Sequence, residues 1–129
     1  MNTDIVTSLR RHEPAHLDVR ALDILETTLG RERARDVLEE SCFSLVDKLG
    51  LIEDALHRRN HRSATELAID IAGISAQIGL DDFSLAARNL ADCLRTGDQT
   101  AIAAVSARMM RLGEVSLLSL LQLTDDSHV

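Results

Sequence analysis

Residues 63–80 read Ser63-Ala64-Thr65-Glu66-Leu67-Ala68-Ile69-Asp70-Ile71-Ala72-Gly73-Ile74-Ser75-Ala76-Gln77-Ile78-Gly79-Leu80, and the period of the apolar side chains in this stretch decides the fold class. Leu67, Ile71, Ile74 and Ile78 recur at intervals of four, three and four. At about 100° of rotation per residue they fall in one stripe of an α-helix. The opposite face carries Thr65, Ile69, Ala72, Gly73 and Ala76. A solvated face normally carries charge, whereas this one is small and flat with one bulky apolar side chain at its middle. The pattern marks a docking surface centred on Ile69, with Asp70 and Gln77 at its rim. Ser63 and Glu66 have the spacing of a capping box, so the helix is expected to start at Ser63; Gly79 closes it.

The same period extends in both directions. Upstream, Leu38, Cys42, Leu45, Leu49, Ile52 and Leu56 form an unbroken stripe with Val46 beside it, which predicts a long helix from about Glu32 to Arg58. Phe43 and Leu51 fall off that stripe: they either pack under another helix or extend an exposed apolar patch. Before it, Pro14 suits a first helical position. A helix from there to Thr28, with Leu17, Ala21, Ile24 and Leu25 inward, would end at Gly30. Downstream, Asp81 is a candidate N-cap for a helix whose stripe is Phe83, Ala87, Leu90 and Leu94. Thr96-Gly97-Asp98 then stops that helix and restarts another from Gln99 to about Leu123, with Ile102, Val105, Met109, Leu112 and Leu120 inward. Its end, Leu117 to Leu121, is apolar on most sides and is expected to be clasped by the first helix.

These segments predict an all-α fold, a four-helix up-down-up-down bundle with one additional N-terminal helix. The organisation expected is a mixed segment over 1–13, the bundle over 14–124 and a polar tail over 125–129. Aromatic residues at 2%, one proline and six glycines argue against sheet. A net charge of −7 disfavours nucleic acid, whose phosphates would be repelled. Cys42 and Cys93 lie in apolar helical patterns and read as reduced core residues. No run approaches the roughly 20 apolar residues of a membrane span, and the first residues lack the apolar block of a signal peptide. A soluble cytoplasmic protein without a cofactor is expected.

The central helix resembles the signature of histidine-containing phosphotransfer (HPt) domains of multistep phosphorelays. That signature is an alanine-histidine pair, a spacer, leucine-lysine-glycine, a small or hydroxyl residue and a second glycine. Ala68, Gly73 and Gly79 match it, and Ile71 stands for the leucine. Leu29-Gly30, Ala91-Asp92-Cys93-Leu94 and Thr96-Gly97-Asp98 extend the resemblance over most of the chain from Asp23 on. The two positions that carry the family's chemistry differ: Ile69 stands at the phosphoacceptor histidine and Ala72 at the lysine. An isoleucine offers no nucleophilic nitrogen, and an alanine no cation to hold phosphate charge. The resemblance therefore implies no catalytic residue, but a surface of Thr65, Ile69, Asp70, Ala72, Gly73, Ala76 and Gln77. That surface would bind a response regulator receiver domain, or a hybrid histidine kinase, without accepting phosphate.

Other readings compete. His12, His16, His57 and His61 could each substitute as an atypical phosphoacceptor, although none lies on the face beside Gly73. Ile69 could be core, or the bundle could form a homodimer through this face or through Leu117–Leu121. Glu53, His57 and His61 have metal-ligand spacing on a continuous helix, but the basic connector Arg58-Arg59-Asn60-His61-Arg62 interrupts it and no fourth ligand is evident. No metal is expected.

Overall fold

The structure, a computed structural model, describes residues 17–126. Helix α1 (Val19–Leu29) starts where the Asp18 carboxylate accepts from the backbone N–H groups of Arg20 at 3.0 Å and Ala21 at 3.4 Å. The Ala21 N–H is shared with the Asp18 carbonyl at 3.1 Å, and the carboxylate satisfies first-turn donors that an α-helix leaves over. The expected start at Pro14 lies outside the described residues. Gly30 (φ +86°) ends α1 and opens α2 (Arg31–His57). Arg59 then adopts φ +57°, which breaks the helix.

Helix α3 (His61–Gln77) is capped by Asn60, whose side-chain oxygen accepts from the N–H of Ser63 at 3.2 Å. The expected Ser63 cap is thus corrected: Asn60 reaches the free donors one turn earlier and draws His61 and Arg62 into the first turn. Helix α4 (Asp81–Thr96) has Leu80 at its N-cap position. Asp81 is not the cap; with Asp82 it lies in the first turn, where a carboxylate meets the positive end of the helix dipole. Gly97 (φ +74°) ends α4, and Asp98 caps α5 (Gln99–Asp126), accepting from Thr100 and Ala101 at 3.1 and 3.2 Å.

Helices α2 to α5 alternate in direction and enclose one core. Leu45, Ile52, Ile71, Phe83, Leu90 and Met109 are sealed from water at its centre. From the stripes expected on α2 and α4, Cys42, Leu45, Ile52, Phe83, Ala87, Leu90 and Leu94 are buried in it, and Leu38, Leu49 and Leu56 pack at its margin. Helix α1 packs on α2 and is tied to the α3–α4 turn, where the Asp18 N–H donates to the Gly79 carbonyl at 2.7 Å. A Cβ on Gly79 would lie 2.7 Å from the Asp18 carbonyl oxygen, and its φ is +82°. The close approach and the left-handed backbone both require glycine.

Several apolar residues sit differently from expectation. Ile24, expected inward, faces water at 61% exposure; α1 packs mainly on α2 and buries no residue fully. On α5, Leu117 and Leu120 are buried but Leu118 and Leu121 are exposed. The main packing of α1 is on α2, and that of α5 is on α4 and α2. Phe43, Val46 and Leu51 all project outward from α2.

Candidate interaction surface

Helix α3 runs between α2 and α4, and both neighbours determine which of its side chains reach water. Ala64, Ala68, Ile71, Ala72 and Ser75 form its buried side. Leu67 and Ile74, expected inward, are only half-buried and pack at the core's margin. Small residues at 64, 68 and 72 let α4 approach closely enough for the Ser84 hydroxyl to donate to the Ala72 carbonyl at 2.8 Å. That approach covers Ala72, which is 6% exposed and lies beneath the outer face rather than on it.

Ile69 does project outward, with 49% of its surface exposed. Gly73 and Ala76 lie one and two turns further along the same exposed side, and a Cβ on Gly73 would meet nothing within 4 Å. The structure therefore brings Ile69, Gly73 and Ala76 together as a shallow apolar strip. Asp70 and Gln77 are exposed at its border. Thr65 is half-buried, and its hydroxyl donates to the His61 carbonyl at 2.7 Å, so it contributes mainly its methyl to the surface.

Two cations flank the strip that the sequence reading did not single out. Lys48 of α2 pairs with Asp70 at 3.6 Å, crossing the α2–α3 groove. Arg88 of α4 donates to the Ser84 hydroxyl at 3.5 Å. Since Ser84 is bonded to Ala72, the antiparallel course of α3 and α4 sets Arg88, one turn beyond Ser84, level with Ile69, one turn before Ala72. Lys48 is the chain's single lysine, a signal that could have singled it out. Nothing in the spacing of Arg88 indicates its place, because the α3–α4 register is set by tertiary packing.

No described histidine shares this surface. His61 is the first residue of α3, about 12 Å along the axis from Ile69 at 1.5 Å per residue, and His57 ends α2. His12 and His16 lie outside the described residues. The break at Arg58–Asn60 puts His61 on a different helix from Glu53 and His57, and among the described residues no cluster of His, Cys, Asp or Glu is arranged for a metal ion. Both cysteines are free; burial, with the Glu39 carboxylate nearby as the smaller effect, pushes the Cys42 thiol up to about 11. Among the described residues no helix is long and apolar enough to cross a membrane.

No family model matches the sequence, and no curated protein matches it. A solved structure does match: that of histidine-containing phosphotransfer protein B (HptB) from Pseudomonas aeruginosa PAO1, with a TM-score of 0.81 and 18% sequence identity. The match covers 88% of this chain and 98% of that one. At that identity the likeness is one of fold, and the HPt-like helical bundle expected from the central helix is the architecture found.

Proposed function

We propose that this chain is an HPt-like signalling protein that binds receiver domains of two-component phosphorelays and does not accept phosphate. The observation that carries the reading is Ile69, half-exposed at the middle of α3 in a bundle that superposes on a histidine phosphotransfer protein. Phosphoryl transfer at that position would need an imidazole nitrogen within reach of the partner's phosphoaspartate. The aliphatic side chain instead fills an apolar pocket, and Gly73 lets the partner's backbone approach. Lys48 and Arg88 flank the strip and complement the acidic phosphorylation pocket of a receiver. The protein acts by occupancy, as a cytoplasmic partner that sequesters a receiver or blocks access to it, and not as an enzyme.

The test is incubation with a phosphorylated receiver domain or hybrid kinase. Stable association without acid-labile label on this chain is expected. Label on any histidine, His57 and His61 included, rejects the reading in favour of an atypical phosphotransfer protein.

A further inference from the structure

A second surface lies elsewhere on the bundle and is independent of the Ile69 strip. Helices α2 and α5 are the two longest, and they are antiparallel. Near the end formed by the last turn of α2 and the first turn of α5, they part around an open cavity of about 330 Å³, lined by the apolar Leu56, Ile102 and Met110 and by the polar Glu53, His57 and, from the start of α3, His61. Their register is fixed midway, where a Cβ on Gly113 would come within 3.2 Å of the Leu49 side chain. Counting from that contact in opposite directions brings Phe43 of α2 level with Leu118 of α5. Phe43 is 73% exposed and Leu118 61%, with Val46 and Leu121 exposed beside them. Between this apolar end and the cavity, α2 presents Gly50, where an added Cβ would meet open space, and the exposed Ala103 and Ala107 of α5 form part of the cavity wall. From Phe43 to Leu56 the groove is about 20 Å long, the length of a helix of about 13 residues.

The two banks differ in charge. At 100° per residue, Glu40 and Asp47 lie on the side of Phe43 away from α5, exposed, and no ion pair among the described residues engages either. On the other bank, α5 presents the exposed Glu114 one turn before Leu118 and the exposed Arg111 two turns before it, so their charges offset and the net acidity lies on α2. A groove that is apolar at its Phe43–Leu118 end, polar at its cavity end and acidic along the α2 bank suits an amphipathic helix with basic side chains on the flank that meets α2.

We propose that the α2–α5 groove is a docking site for an amphipathic helix of another protein, carrying basic side chains on the flank that meets α2. Phe43 and Leu118 clasp the apolar face of that helix, Gly50 lets its backbone come close, and Glu40 and Asp47 set its orientation. The test uses a fluorescein-labelled 18-residue helical peptide with leucines along one face and lysines along one flank, and a second peptide with glutamates in place of the lysines. Fluorescence anisotropy against the full chain should show the lysine peptide binding at least about tenfold tighter. Phe43→Ser and Leu118→Ser, at sites mostly in water and checked by circular dichroism, should each weaken it about tenfold, as loss of one apolar anchor implies. Asp47→Lys should narrow the preference between the two peptides. If neither serine variant weakens binding, the net charge of −7 alone attracts the peptide and the proposal fails. It fails also if Ile69→Glu weakens binding as much as Phe43→Ser, which would put the peptide on the other face. Sedimentation showing a native dimer that Phe43→Ser dissociates would make a second copy the occupant and overturn it.

Discussion

Replacing Ile69 with glutamate separates a docking surface from a core. Full burial of an isoleucine side chain contributes about 1.5–3 kcal/mol. With 49% of its surface exposed, roughly half of that, about 1 kcal/mol, is already realised within the bundle, and a comparable amount is left for a partner to gain. Ile69→Glu should therefore cost the fold only about 1 kcal/mol, a melting temperature lower by about 4 °C for a domain of this size. Binding should suffer more, because the partner's contact would also bury an unpaired carboxylate, a penalty of several kcal/mol. A loss exceeding about 100-fold in receiver affinity is expected. Titration calorimetry against a receiver domain, alongside thermal melts by circular dichroism, measures both quantities on one sample. Ala68→Glu, at a residue sealed from solvent one position away, should instead unfold the bundle. Refutation would be a melting temperature more than about 10 °C lower for Ile69→Glu, or receiver binding left intact.

Glycine substitutions should divide by position. Gly73→Ala, in an exposed helix interior with open space around it, should stabilise the fold by about 0.5–1 kcal/mol in urea titration yet weaken receiver binding, because the methyl intrudes on the partner. Gly79→Ala should destabilise by about 2 kcal/mol or more in the same titration, since the positive φ and the Asp18 carbonyl both oppose a Cβ. Cys42 carries a pH signature. Its folded-state value is raised from the ordinary 9.0 to about 11, so the folded chain holds its proton more tightly than the unfolded chain. Its stabilisation is complete below pH 9.0 and is lost as pH rises toward about 11, which urea titrations at pH 8 and pH 10.5 would detect. At pH 8, iodoacetamide should modify Cys42 only after denaturant is added.

Element type was legible in the sequence because helical periodicity is local: each stripe on α2, α4 and α5 records which side of its own helix leaves water, whatever it packs against. Glycines at 30, 79 and 97 marked ends for the same reason, since a left-handed residue is a property of one backbone position. Ile69 could be placed outward from its spacing alone. Ala72 could not, because a residue at the edge of a stripe is buried or exposed according to how closely the neighbouring helix approaches, and only the Ser84–Ala72 contact shows that α4 comes in. Caps shifted by three residues at α3 and by one at α4, where Asn60 and Leu80 hold the positions expected of Ser63 and Asp81. Lys48, Arg88 and the groove between α2 and α5 belong wholly to tertiary structure. Each depends on the register and separation of helices distant in sequence, which no periodicity within one segment encodes.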